Sequence, residues 1–225
     1  MSIRHHPVSN PAPVDRSLFP LRPGERLLAL LSVVGLIAAA TFAILSGGTE
    51  FLFYIVVVAI LMVVVTILHR RVRLAHSSLW ALFAWAVLHM AGGMIPLPHP
   101  IVKGGGVLYN FWPLPGLLRY DQLIHAYGFG ITAWVAWQSL RTIVRPPYTS
   151  FGLLAAAAMV AAGLGAVNEV IEFAATKLVE KTNVGDYDNN AWDLVFNLTG
   201  ATVAVMIIRL TAAASPALTF PTASD

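Results

Sequence analysis

Apolar residues fall into six long runs, separated by short polar stretches or by glycine and proline. The first runs from Leu27 to Ser46 and the second from Phe51 to Leu68, with Gly47 and Gly48 predicting a turn between them. A basic stretch, His69-Arg70-Arg71-Val72-Arg73, precedes a third run from Ser78 to Ile95, which Pro96 and Pro98 terminate. The fourth run, Tyr120 to Leu140, opens with an acid, and the fifth and sixth cover Ser150 to Phe173 and Ala191 to Leu210. A helix needs about 20 apolar residues to cross the hydrocarbon layer of a bilayer. Backbone polar groups in lipid must be satisfied within the segment, so such runs are read as helices, and the alternating pattern of barrel strands is absent. The pattern predicts an all-α, polytopic membrane helix bundle of about six transmembrane helices over residues 27–211. A flexible cytoplasmic lead (1–26) and a flexible tail (212–225) complete the expected organisation.

Composition excludes a soluble alternative. The 225 residues are 57% hydrophobic and 11% charged, less than half the roughly 25% charged content of a soluble domain. Ten of the fourteen Lys and Arg residues (Arg4, Arg16, Arg22, Arg26, Arg70, Arg71, Arg73, Arg141, Arg145 and Arg209) lie on the side shared by the N-terminus, the 2-3 loop, the 4-5 loop and the C-terminus. The positive-inside rule then places both termini in the cytoplasm, in an inner or plasma membrane. The net charge of +3 comes from helix flanks without a nucleic-acid motif. The expected partner is therefore membrane lipid, through its anionic headgroups, and not nucleic acid. The first run is too long for a signal-peptide core and predicts a retained helix. With no cysteine in the chain, disulfides and thiolate metal sites are excluded.

The ionisable residues change the picture from a generic bundle to a candidate site. Seven of the eleven acids (Asp121, Glu169, Glu172, Glu180, Asp186, Asp188 and Asp193) lie between the start of the fourth helix and the start of the sixth, at the extracytoplasmic end of the expected topology. Asp121 and His125 are four apart and share a helix face, with His125 about 6 Å deeper. Glu169 and Glu172 share a face near the outer end of the fifth helix. Asp193 and Asn197 repeat the four-residue spacing on the sixth. His89, in the third helix, approaches this group from below, and Gly92 and Gly93 beside it leave room for a neighbouring helix. Intramembrane charges cost about 2.5 to 3.5 kcal/mol each at mid-membrane on insertion scales, and they usually face a protein interior or a watery cavity.

Blander accounts exist for single residues. Asp121 and Asp193 open helices, where an acid suits the positive dipole end, and His89, His125 and Asn197 suit interhelical hydrogen bonding. The joint pattern suits two chemistries: a divalent metal ion held by carboxylates and imidazoles, or proton and cation handling by carboxylates that raise one another's pKa. Metal ligation would fall to His89, His125, Glu169, Glu172 and Asp193, and acid/base work to His125, Glu169 and Asp121, with Asp121 and Glu172 also orienting their neighbours. The stretch from Gly185 to Asp193 invites a calcium-loop reading, but it lacks the central glycine and terminal glutamate of an EF-hand. Trp192, Tyr187, Tyr109, Trp112 and Tyr120 read as interfacial anchors. The loop from Pro96 to Arg119, with its apolar stretch from Val107 to Leu118, reads as a lid over the cluster or as a plain surface loop.

The segments Leu88-His89-Met90-Ala91-Gly92-Gly93, Tyr120-Asp121-Gln122-Leu123-Ile124-His125, Glu169-Val170-Ile171-Glu172, and Gly185-Asp186 with Trp192-Asp193 resemble the YjdF-like inner-membrane proteins, a family of unknown function. These look distantly similar to the VanZ-like proteins linked to glycopeptide resistance. The resemblance covers about the C-terminal 140 residues, and it implies shared polar positions at His89, Asp121, His125, Glu169, Glu172, Asp186 and Asp193. Gln122 stands where the family usually has a basic residue. The expectation is a membrane-embedded, metal-dependent enzyme acting on a lipid or lipid-linked group. The competing readings are an ion-coupled transporter or channel, and a structural or assembly protein whose polar groups lock helix packing.

Overall fold

The computed structural model describes residues 22–46, 49–102, 106–146, 149–180 and 182–214. The expected lead up to residue 21, the Gly47-Gly48 turn, Gly104, Gly105 and the tail beyond 214 lie outside the described residues. Six long helices follow one another: α1 (Pro23–Ser46), α2 (Thr49–Val72), α3 (His76–Met94), α4 (Tyr120–Val144), α5 (Phe151–Leu178) and α6 (Tyr187–Ala214). Between α3 and α4 sit a two-residue antiparallel pair, β1 (Pro96–Leu97) and β2 (Gly106–Val107), and a single 3₁₀ turn at Leu108–Asn110.

Most helices outrun their apolar segments by one turn or more. α2 continues through His69, Arg70 and Arg71, where basic side chains favour the negative end of the helix dipole. α6 starts at Tyr187, four residues ahead of the apolar run, because Asp186 caps the turn: its carboxylate accepts from the Asn189 backbone N–H at 3.1 Å. This start corrects the calcium-loop reading. Asp188, Asn189 and Asp193 are helical and cannot wrap an ion as a loop.

α1, α2, α3, α5 and α6 are long and apolar enough to cross a membrane, and α1 presents Leu30, Ile37, Ile44 and Leu45 outward. α4 falls short of that measure because it carries Asp121, Gln122, His125, Gln138 and Arg141. It is the central helix, packed against α3, α5 and α6 and touching α2, so its polar side chains meet protein. Small residues permit this. Ala133, Ala161 and Ala201 are fully buried at the α4, α5 and α6 contact. A Cβ on Gly200 would collide with the Ala126 carbonyl, and one on Gly130 would stand 3.2 Å from the Gly200 carbonyl oxygen. The α4 and α6 backbones thus approach closely, as small residues allow in membrane bundles.

The two ends of the bundle differ in chemistry. At one end Glu25 lies 3.3 Å from His69 and 3.5 Å from Arg22, and Gln138 ties α4 to the α2-α3 turn. The Ala75 N–H donates to its amide oxygen at 2.9 Å, and its amide nitrogen donates to Ser78 Oγ at 2.6 Å. The opposite end holds Asp121, Glu169, Glu172 and Asp193. There Gly93 meets Phe51 of the neighbouring helix α2, as expected, whereas at Gly92 a loop side chain takes the place of a helix. The Tyr109 ring occupies the space a Cβ on Gly92 would fill, and its hydroxyl donates to the His89 carbonyl at 2.6 Å. Burial pushes the Tyr109 phenol well above its ordinary pKa, so it remains a donor. The described part of the 96–119 connection is therefore pinned to α3 through Tyr109.

Candidate functional site

His125 is the centre of the cluster. One turn in from the start of α4, its ring is 3% exposed and meets residues from α5 and α6. Nε2 lies 3.6 Å from Asp121 Oδ1 and 3.9 Å from Glu172 Oε1; Nδ1 lies 3.6 Å from Glu169 Oε1 and 3.0 Å from Asn197 Oδ1. The Asn197 amide nitrogen donates to Glu169 Oε1 at 3.1 Å. That orientation turns the Asn197 carbonyl toward His125, so Nδ1 carries a hydrogen, and Nε2 faces Asp121 and Glu172, paired with them in the imidazolium and open to a ligand in the neutral ring. Gly165 makes room for this arrangement, since a Cβ there would sit 2.9 Å from the Asn197 amide nitrogen.

Asparagines hold the carboxylates in place. Asn189 donates to Asp193 Oδ2 at 2.7 Å and to Asp121 Oδ2 at 3.2 Å, while its own carbonyl accepts from Arg119. Asn168 donates to Glu172 Oε1 at 2.8 Å. Asp193 and Asn197 are each 1% exposed and Glu169 is 5% exposed. Yet Asp193 Oδ1 and Glu169 Oε2 are buried without a hydrogen-bond partner. Among the described residues the ion-pair partner of Asp121, Glu169 and Glu172 is His125. Four carboxylates thus surround one imidazole, and a buried ion left without compensation costs several kcal/mol.

Two overlapping triads could share an ion: Asp121, His125 and Asp193, and His125, Glu169 and Glu172. In each, the ligand atoms lie within 4.8 Å of one another. Two ligands 2.0 to 2.2 Å from one ion stand roughly 3 to 3.5 Å apart, so the 3.6 and 3.9 Å separations at Nε2 need only a small contraction. A cavity of about 510 Å³ reaches the cluster through Asp121 and Glu172, with Glu50, Tyr54, His89, Tyr109, Arg119 and Asn183 also on its wall.

The structure brings together five of the six expected residues, Asp121, His125, Glu169, Glu172 and Asp193. His89 is set apart: it belongs to neither triad, its ring lies 5.4 Å from that of Trp85 and 5.6 Å from that of Tyr109, and its Nδ1 is buried without a partner. Sequence reasoning missed Asn189, Asn168, Arg119 and Glu50. Glu50 accepts from both the backbone and the side-chain nitrogen of Asn183, each at 2.8 Å. The spacing of Asn168 and Asn189, each four residues ahead of an acid, was a usable signal. Nothing local marks Glu50.

A multi-pass helical membrane protein with a buried acid and histidine cluster at one end is the class that fold and site define. The family described as Predicted membrane protein (DUF2238) matches residues 26–213, and the chain belongs to that family, whose function is unknown. This agrees with the resemblance to YjdF-like proteins; the likeness to VanZ-like proteins is not shown. Neither a curated protein nor a solved structure matches the chain.

Proposed function

We propose that the cluster is a divalent metal centre of a membrane-embedded enzyme acting on a lipid or lipid-linked group. The observation that carries this reading is the His125 environment: Nε2 faces two carboxylates, Asp121 and Glu172, and Asp193, which shares a triad with His125 and Asp121, keeps a buried oxygen, Oδ1, without a partner. Asp121, His125, Glu172 and Asp193 would hold the ion, a set rich in hard oxygen with one nitrogen. Asn197, Asn189 and Asn168 would orient those ligands. Glu169, whose Oε2 is unpartnered, would serve as the base for a water polarised by the metal. The adjoining cavity would admit the headgroup.

The reading includes a topology. α4 is taken as a sixth span, since its 25 residues reach about 37 Å at 1.5 Å per residue, with Asp121 and His125 set against α5 and α6 and Gln138 against the α2-α3 turn. Both termini are taken as cytoplasmic, which turns the metal centre to the outer face.

Elemental analysis of detergent-purified protein, after incubation with Mn²⁺, Zn²⁺ or Mg²⁺ and desalting, tests the centre. About one equivalent of one metal is expected, lost in His125→Ala and Asp193→Asn. Less than a tenth of an equivalent of every metal in the wild type would sink the proposal. Lipid extracts from membranes carrying wild-type protein or Glu169→Gln, compared by mass spectrometry, test the activity. Identical extracts would reject the enzyme while leaving the metal centre standing.

A further inference from the structure

The opposite end of the bundle carries a second cavity, about 560 Å³, between the α2-α3 turn and the end of α4. Its wall includes Arg73, Ser77, Trp134, Trp137, Gln138 and Arg141, and among the described residues no carboxylate lines it. The Arg141 guanidinium stacks 5.1 Å from the centre of the Trp137 ring, which fixes the plane of the cation and leaves its N–H edge to donate. Trp137 and Trp134 stand edge to face at 5.8 Å, and the Trp137 indole N–H is buried without a partner. Arg73 closes α2 in a left-handed backbone, φ 55°, with its N–H donating to the His69 carbonyl at 2.8 Å.

We infer that this cleft is a binding site for the phosphodiester of an anionic membrane lipid. Arg73 and Arg141 supply charge and paired donors that match phosphate oxygens, and the Trp137 N–H and Ser77 hydroxyl add neutral donors. Val72, Ala75 and Trp134 form the apolar part of the wall, where the glycerol and first acyl carbons would rest. That apolar part favours a lipid over a free anion, since inorganic phosphate would leave it uncovered. Arg70, Arg71 and Arg145 stand nearby in sequence and add to the local attraction of a negatively charged leaflet. The site is distinct from the acid and histidine cluster and does not depend on its chemistry.

The test uses the full-length protein in detergent, with thermal melts read after addition of dioleoylphosphatidylglycerol, dioleoylphosphatidylcholine or inorganic phosphate. The anionic phosphatidylglycerol is expected to raise the melting temperature in a saturable way, and the other two to leave it unchanged. Arg73→Gln with Arg141→Gln, which preserves side-chain size, should weaken the apparent affinity for phosphatidylglycerol about 30-fold at roughly one charge step per arginine. Its lipid-free melt and metal content should stay at wild-type values, separating loss of the site from loss of the fold. Equal shifts from both lipids, or an unaltered shift in the double variant, overturn the inference. A shift from inorganic phosphate that matches the phosphatidylglycerol shift overturns the lipid as the occupant.

Discussion

Asn197 shows how one neutral side chain sets the chemistry of a charged neighbour. Its amide gives nitrogen to Glu169 and carbonyl to His125, which keeps a hydrogen on Nδ1 and leaves Nε2 as the nitrogen able to ligate. Partners that orient a metal-bound histidine typically contribute 10- to 100-fold to metal affinity. Asn197→Ala is therefore expected to weaken binding by that factor in a competition titration against a fluorescent chelator, while His125→Ala abolishes it. Gly165→Ala should fall between, because the new methyl pushes on Asn197 from α5; wild-type affinity in both Asn197→Ala and Gly165→Ala would remove Asn197 from the centre. The ionisable core of this site was legible because it is periodic: Asp121 with His125, Glu169 with Glu172, and Asp193 with Asn197 obey helical spacing. Glu50 was not, since its partner Asn183 is 133 positions away and such a contact leaves no trace in local pattern. His89 has no acid at helical spacing in sequence, unlike His125, and its ring lies among aromatics.

At the scale of helices, apolar run length located all six elements but misjudged their ends, because polar residues flanking a span continue the helix once capped or charge-matched. It also could not rank them. α4 is the least apolar of the six by span criteria and the most central, and the signal for centrality lay instead in its glycines and alanines facing those of α6. That contact yields a paired prediction. Gly200→Ala forces a methyl into the Ala126 carbonyl and should destabilise the bundle by about 1 to 3 kcal/mol, the usual cost of overpacking. Gly163→Ala, where nothing lies within 4 Å of the added carbon, should be neutral or stabilising by roughly 0.5 to 1 kcal/mol. Melting curves in one detergent compare the two. If Gly200→Ala melts with the wild type, the α4-α6 backbones do not touch as described.

For the whole molecule, the contrast between its ends is the organising fact. Arg22, Arg26, Arg70, Arg71, Arg73, Arg141, Arg145 and Arg209 gather where α1, α3 and α5 begin and α2, α4 and α6 finish, whereas Asp121, Glu172, Asp186 and Asp193 gather at the other end. Translocating a cluster of arginines is disfavoured, and acids contribute little to that bias, so the arginine end should be retained in the cytoplasm. The chain contains no cysteine, which makes it a ready background for single-cysteine labelling. Asp188→Cys marks the acid end and Thr211→Cys the arginine end, both at exposed positions. In intact cells a membrane-impermeant maleimide should label Asp188→Cys and reach Thr211→Cys only after permeabilisation. The reverse result would invert the protein, turning the proposed metal centre to the cytoplasm and its substrate to the inner leaflet. Labelling of both in intact cells would place the two ends on one side and remove α4 or another helix from the set that spans.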